Sequence, residues 1–389
     1  MDKKKLKIAI FTDNFFPAVG GTENAVYNLA TALTELGHEI LVVAPNYKNA
    51  DDSKYIFRVF RKSSIKIDAN NNYALPFFNK KLYKVLDEFN ADILHCHSQA
   101  SMLSLAIKYG KKHKLPVVST IHTKFSYCYK DSAKLNIIVK PMLKSIGRKL
   151  KQVDRVTAVS YSMADEFKLY GYNGQFDVIK NGLSINSFKP IEIENIAREK
   201  YKLKSTDNIF IFVGRITKVK NISFILDTLQ KLKEKGIKFK MFIVGEGGDL
   251  PYFKSMAKEK NIEDMVEFTG KITDKHLLAS LYYNSNLNIF PSIFDNDSLT
   301  IVEAAMYGTP SITLMNTGSS ERITDGQNGY IVQNNANKMA EQIAEILKDK
   351  NRLKIVGENA KNELVKSWQD VTQEYLAIYY EILNQKKTI

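Results

Sequence analysis

At 389 residues the chain exceeds what one hydrophobic core usually organises, which points to two domains of roughly two hundred residues or a little less each. Its 44% hydrophobic and 25% charged residues exclude a disordered chain, and the absence of any apolar run of about eighteen residues excludes a membrane-spanning helix. Lys plus Arg number 56 against 42 Asp plus Glu, a formal charge of +14 that fits an acidic partner (nucleic acid, an anionic membrane surface or a phosphorylated substrate) as well as a plain lysine-rich surface.

In chain order, the start MDKKKLKIAIFTDNFF breaks after a short apolar run and reads as a first β-strand, Leu6 to Phe11, with no signal peptide expected. The loop after it, Asp13 to Glu23, carries Asn14 and the pair Gly20-Gly21 into a helix starting near Glu23, so backbone N–H groups are placed at a strand end where an anion can be met. Further strands are expected at Glu39 to Val43, Ile56 to Phe60, Asp92 to His95, Pro116 to Ile121, Arg155 to Val159 and Asp177 to Ile179, with helices between most of them. His95 and His97 share one strand face, but neither an acidic nor a third histidine partner is evident nearby in sequence, so no metal is expected. The two cysteines, Cys96 and Cys128, lack metal-ligand or CxxC spacing and read as free thiols of a reducing cytosol, placing the protein in the cytoplasm. His122 follows the strand Pro116 to Ile121 directly, at the carboxyl end where ligands of parallel sheets bind.

From Lys124 to Arg155 there are nine Lys or Arg against Asp131 and Asp154. Leu135, Ile138, Val139, Met142, Ile146 and Leu150 recur at helical spacing, Lys140, Lys144 and Arg148 form a separate stripe, and Pro141 would start or kink the helix. Phe125, Tyr127 and Tyr129 lie just upstream. A basic amphipathic helix of this kind suits an anionic lipid surface, and equally a core-facing helix with a solvated basic face.

Near residue 188 the pattern loosens, and a second series of strands follows: Ile209 to Val213, Lys240 to Val244, Val266 to Phe268, Leu287 to Phe290, Ser311 to Leu314 and Tyr330 to Val332. The expected division is 1–188, 189–366 and a final helix, 367–389, whose stripe Trp368, Val371, Tyr375, Ile378, Tyr379 and Ile382 packs back on the first domain. Strands alternating with helices throughout give an α/β fold with two Rossmann-like domains and parallel sheets.

Four loops after second-half strands fit one ligand. Gly214-Arg215 and Lys220 share the first, where a guanidinium and an ammonium are placed to clamp a diphosphate. Gly245-Glu246-Gly247-Gly248 is either a site of close backbone approach to a ligand or a plain tight turn. The third and most specific runs from Pro291 to Pro310. Asp295 ends a loop, Ser298, Leu299 and Thr300 begin a helix whose N-terminus suits phosphate oxygens, and Glu303 follows on an apolar turn of small residues. Asp295 and Glu303 can divide the hydroxyls of a hexose and a ribose between them. Asn316 to Glu321 concentrates hydroxyls and backbone N–H groups in the fourth.

With these motifs in hand, the chain resembles, over essentially its whole length, the retaining glycosyltransferases of the GT-B fold called family 4. The resemblance implies two Rossmann-like domains facing a central cleft, Arg215 and Lys220 on the donor diphosphate, Asp295 on the sugar, Glu303 on the ribose, and Lys271 and Ile272 beside the donor base. It also implies that the loop with Gly20 and Gly21 lies against donor phosphate and acceptor, and that His122 contacts the transferred sugar. Asp295 stands where Glu is common and Ser298 where Gly is common, which leaves the donor hexose open.

The implied reaction moves a hexosyl or N-acetylhexosaminyl group, with retention, from a nucleoside diphosphate sugar to an acceptor hydroxyl. No residue reads as a committed nucleophile, so the leaving diphosphate is expected to help take the acceptor's proton while Arg215, Lys220 and a helix dipole meet its charge. No cofactor is expected. A UDP-sugar donor is favoured over GDP-mannose, and a lipid-linked acceptor in cell-envelope glycan or glycolipid synthesis over a small soluble one. That acceptor would put the protein peripherally on the inner face of the plasma membrane. A nucleic-acid partner is not expected, because no helix-turn-helix, RNP-like or zinc motif occurs.

Overall fold

The computed structural model describes residues 4–18, 20–66, 72–74, 80–125, 136–184 and 188–387, with residues 72–74, 136–138 and 387 described through their backbone. Tyr127, Cys128, Tyr129, Asp131 and Leu135 lie outside the described residues. The chain forms two compact units, Met1–Ser184 with Ser367–Ile389, and Ile185–Lys366. The first break falls four residues before the expected boundary at 188.

In the first unit the strands are β1 (Lys7–Phe11), β2 (Glu39–Pro45), β3 (Arg58–Lys62), β4 (Ser64–Lys66), β5 (Asn72–Ala74), β6 (Ile93–Cys96), β7 (Val117–Ile121), β8 (Arg155–Ala158) and β9 (Asp177–Val178). Seven of them make one parallel sheet, β3-β2-β1-β6-β7-β8-β9, and β4 with β5 forms a small antiparallel hairpin that the sequence reading did not contain. Helices α1 (Gly21–Glu35), α2 (Lys80–Phe89), α3 (Ser101–His113), α4 (Asn136–Leu150) and α5 (Met163–Tyr170) connect the strands. Pro141 stands inside α4 and does not start it.

The second unit repeats the plan. Its strands β10 (Ile209–Val213), β11 (Lys240–Val244), β12 (Val266–Gly270), β13 (Leu287–Phe290), β14 (Ser311–Leu314) and β15 (Tyr330–Val332) order as β12-β11-β10-β13-β14-β15, all parallel. The helices are α6 (Pro190–Tyr201), α7 (Ile222–Glu234), α8 (Leu250–Glu259), α9 (Lys275–Asn284), α10 (Leu299–Met306), α11 (Ala336–Ile346) and α12 (Lys350–Leu364). The chain then returns to the first unit as α13 (Trp368–Lys387).

Both sheets are covered on both faces, which is why their strands read as near-continuous apolar runs. Alternation along each strand decides which layer a residue joins. Phe210, Phe212, Met241 and Ile243 pack into one core of the second unit, and Ile209, Ile211, Phe242 and Val244 into the other. In the first unit Ala9, Phe11, Leu41 and Val43 face α2 to α5, whereas Ile8, Ile10, Ile40 and Val42 face α1 and the α13 stripe of Trp368, Val371, Tyr375, Tyr379 and Ile382.

In each sheet the winding reverses beside the central strand, between β1 and β6 and between β10 and β13. Loops leaving the carboxyl ends of strands diverge at such a point and open a crevice for ligands.

Candidate active site

In the second unit, the loop after β10 carries Gly214, Arg215 and a short 3-10 turn, Lys218–Lys220, ended by Asn221 in the left-handed region. The loop after β13 carries Asp295 and leads to α10 through Ser298, whose extended backbone caps the helix. Lys220 Nζ donates to both carboxylate oxygens of Asp295, at 2.6 and 2.7 Å, and lies 5.7 Å from the centre of the Phe290 ring. Asn221 Nδ2 donates to the Pro291 carbonyl at 3.2 Å. The two loops of the switch point are therefore tied side chain to side chain and side chain to backbone. Arg215 is exposed and makes no ion pair among the described residues, so its fork of donors faces solvent.

Glu303 lies one turn into α10, partly buried, and Tyr282 on α9 donates its hydroxyl to Oε2 at 3.0 Å. Burial raises the Glu303 carboxyl above its ordinary range, and the Tyr282 hydrogen bond offsets part of that rise. Burial and the neighbouring carboxylate push the Tyr282 hydroxyl well up, so it stays a donor. Ser298 Oγ pairs with Thr300 Oγ1 at 2.8 Å, while Leu299 and Thr300 are half-buried in the first turn.

Gly245 and its neighbours have a cause inside the fold. Gly245 has φ +144°, and a β-carbon there would sit 1.8 Å from the Gly214 carbonyl oxygen. Gly245 N donates to Gly270 O at 2.9 Å and Ile216 N to Glu246 O at 2.8 Å, so the loops after β12, β11 and β10 pack edge to edge. The Gly214 carbonyl thus requires a glycine at position 245 by itself, whether or not a ligand also approaches this loop. Lys271, exposed, and Ile272, half-buried, follow β12 at the edge of this row.

One pair was missed in the sequence. Arg322 grips Asp297 with Nε on Oδ1 at 2.5 Å and Nη2 on Oδ2 at 2.8 Å, with side chains only 5% and 3% exposed. It pins the loop that presents Asp295 and Ser298 to the turn after β14, Gly318–Arg322. A lone arginine in a polar loop carries no sequence signal of such a partner 25 residues away.

In the first unit, the loop after β1 is anchored from within. Asp13 is buried, and its carboxylate accepts from Ser101 Oγ at 2.8 Å and from the N–H groups of Ala100 and Met102 at 3.2 Å, the start of α3. Asn14 is half-buried, its N–H donating to Thr12 Oγ1 and its carbonyl accepting from the same hydroxyl. Gly20 caps α1 in extended backbone and Gly21 opens the helix, two residues before the expected start. The Glu23 carboxyl folds back against Gly20 and accepts from its own backbone N–H. Burial raises its pKa. Glu23 is thus buried over the end of its own helix.

His122, half-buried after β7, bonds through Nε2 to His97 Nδ1 at 2.9 Å, with the two ring planes 19° apart. It is the third histidine absent from the local sequence around His95 and His97, brought there because β6 and β7 are neighbours. The three rings bond to one another, and no group of three or more His, Cys, Asp or Glu side chains among the described residues is arranged to hold a metal ion.

Lys140, Lys144 and Arg148, all exposed on α4, line one groove of about 520 Å³ with Pro141, Tyr170 and Gly171. Lys149 belongs elsewhere, donating to the carbonyls of Gln99 and Ala100. No helix among the described residues is long and apolar enough to cross a membrane.

The family model described as Glycosyl transferases group 1 matches residues 194–363, and that described as Glycosyltransferase Family 4 matches residues 19–187. The alpha-monoglucosyldiacylglycerol synthase of Streptococcus pneumoniae is 28% identical over 335 residues, covering 84% of this chain and 75% of that protein. The N-acetyl-alpha-D-glucosaminyl L-malate synthase of Bacillus anthracis is 25% identical over 393 residues, covering 98% and 99%. A crystal structure of Anabaena HepE in complex with UDP shares the fold, with a TM-score of 0.75 at 18% identity over 97% of this chain and 100% of that one. The two matched segments together take in most of both parallel-sheet units, and the chain is a glycosyltransferase of the GT-B fold, belonging to family 4.

Proposed function

We propose that this enzyme transfers a hexosyl or N-acetylhexosaminyl group from a UDP-sugar to a hydroxyl of a membrane-associated, lipid-linked acceptor, with retention at the anomeric carbon. The observation that carries the reading is the Lys220–Asp295 pair at the β10/β13 switch point, with Arg215 open to solvent on the same loop and Glu303 one turn into the following helix. Lys220 and Arg215 supply positive charge for a diphosphate that gains negative charge as its bond to the sugar breaks. Asp295, oriented by Lys220, and Glu303, oriented by Tyr282, accept from sugar and ribose hydroxyls. The acceptor oxygen bonds to the anomeric carbon on the face the diphosphate leaves, and its proton passes to the departing phosphate oxygen. The protein's own cations then do the work of charge neutralisation, and no cofactor is invoked.

The uridine base is supported by the UDP bound to HepE, and the lipid acceptor by the diacylglycerol in the name of the Streptococcus relative. The groove of Lys140, Lys144 and Arg148 offers an anionic membrane a basic face on the first unit. On this reading the enzyme works peripherally at a membrane, on its cytoplasmic face. A small soluble acceptor is the second reading, favoured by the relative whose name specifies L-malate.

The test is transfer from UDP-glucose and UDP-N-acetylglucosamine with and without vesicles containing diacylglycerol, the product's anomeric configuration being read by NMR. An α-linked glycolipid formed only with vesicles is expected. A β-linked product would overturn retention, and equal turnover onto a water-soluble acceptor without lipid would favour the second reading.

A further inference from the structure

We propose that His97 is a positioning residue for His122: it accepts the Nε2 proton of His122 and so holds that ring in one tautomer and one orientation, with His95 and Tyr379 fixing His97 in turn. The inference rests on the reading that His122 touches the transferred sugar, and it names what sets the chemistry His122 presents there.

The connection is a buried chain of hydrogen bonds spanning three elements of the first unit. His122 Nε2 meets His97 Nδ1 at 2.9 Å, His97 Nε2 meets His95 Nδ1 at 3.3 Å, and His95 Nδ1 meets Tyr379 Oη of α13 at 2.6 Å. His95 Nε2 meets Thr120 Oγ1 at 2.7 Å, which in turn meets Thr157 Oγ1 at 2.5 Å. His95, His97, Thr120, Thr157 and Tyr379 are all essentially inaccessible to solvent.

Counting protons along the chain gives it a direction. Among the described residues, Tyr379 Oη has His95 Nδ1 as its one hydrogen-bond partner, and a buried O–H left without an acceptor costs about 1–3 kcal/mol. Tyr379 therefore donates, and His95 carries its own proton on Nε2, donating to Thr120. A bare His97 Nε2 would point one nitrogen lone pair at another across 3.3 Å, so His97 also carries its proton on Nε2 and shares the His95 acceptor. His97 Nδ1 is then a lone pair, and the proton between it and His122 belongs to His122 Nε2. His122 Nδ1 is left as an acceptor. Burial holds His95 neutral, its pKa lowered to about 3, and keeps His97 well below the ordinary histidine range, so neither ring takes a second proton that would break the order.

The arrangement follows the general rule that a histidine's reactive tautomer is set by what its other nitrogen bonds. It also gives the α13 return a task besides packing, because its Tyr379 hydroxyl terminates the chain.

The test uses the full-length protein labelled on histidine nitrogen, with tautomers read by long-range proton–nitrogen spectra alongside transfer kinetics. Wild-type His122 is expected to be protonated on Nε2. His97→Leu, which removes the acceptor, is expected to mix the His122 tautomers and lower kcat about tenfold with a smaller change in KM. His97→Asn, whose side-chain oxygen stands close to the Nδ1 position, is expected to restore both the tautomer and most of kcat. A wild-type His122 protonated on Nδ1, a Leu variant with tautomer and kcat unaltered, or an Asn variant as slow as Leu would each overturn the proposal. If the Leu variant does not fold, the wild-type spectrum and the Asn variant still decide. Full transfer by His122→Ala would instead remove the underlying reading of His122, while the spectrum would still report the hydrogen bond.

Discussion

Lys220 holds Asp295 through both carboxylate oxygens, and the two residues come from loops 75 positions apart that meet because β10 and β13 are neighbours. Their side chains keep 17% and 24% of their exposure, and a pair this close to water contributes only about 0–1 kcal/mol to stability. Its place at the switch point, and not its strength, makes it consequential. Lys220→Ala is therefore expected to leave the thermal unfolding midpoint nearly unchanged while lowering kcat/KM for donor roughly a hundredfold. Melting curves and steady-state kinetics on the same preparation check both halves. A large loss of stability with donor kinetics intact would reverse the assignment.

Glu303 accepts from Tyr282 in a partly buried setting that raises its pKa. If its charged form binds ribose hydroxyls, donor affinity is full above that raised pKa and is lost as pH falls through it, at a higher pH than an ordinary glutamate would show. Titration of UDP-glucose binding downward from pH 8 is expected to show this fall in the wild type and a weak affinity without it in Glu303→Gln. Identical profiles for the two proteins would exclude Glu303 from the donor site.

Arg322 and Asp297 make the most buried ion pair of the second unit among the described residues. Removing one partner leaves the other charge uncompensated, at a cost of about 3–5 kcal/mol. Arg322→Ala is expected to lose stability of that order in chemical denaturation, and Lys220→Ala about a kcal/mol at most. Equal losses in the two variants would contradict this ranking.

Lys140, Lys144 and Arg148 line one face of the first unit, and each cation near an anionic bilayer is worth roughly 1 kcal/mol. Replacing all three with Gln is expected to release the enzyme from phosphatidylglycerol vesicles in sedimentation, with UDP affinity unchanged. Unaltered sedimentation would assign the stripe to a solvated helix face.

The fold was legible because its signals are local. A strand buried on both faces, such as Ile209 to Val213, announces itself in five consecutive residues, and its carboxyl end marks where a ligand-facing loop begins. The helical setting of Glu303 was legible for the same reason, because small apolar residues surround it in sequence. Contacts made by topology were not. Asp297 with Arg322, His97 with His122 and Lys220 with Asp295 are each at least 25 residues apart, and only strand order brings them together. Gly245 shows the opposite limit: its glycine is visible in sequence, but the Gly214 carbonyl that demands it is not. The β4–β5 hairpin, with strands of three residues, is too short to leave a period.

In the proposed function the loops after β10 and β13 of the second unit grip a nucleotide sugar, and the deciding measurement incubates the wild type and Glu303→Ala with a panel of nucleotide sugars, following hydrolysis and transfer by mass spectrometry. The wild type is predicted to turn over UDP-sugars in preference to the others, and the variant to release no nucleotide above background while keeping its fold. Turnover of a nucleotide sugar by Glu303→Ala at the wild-type rate would remove Glu303 and its loop from the donor site.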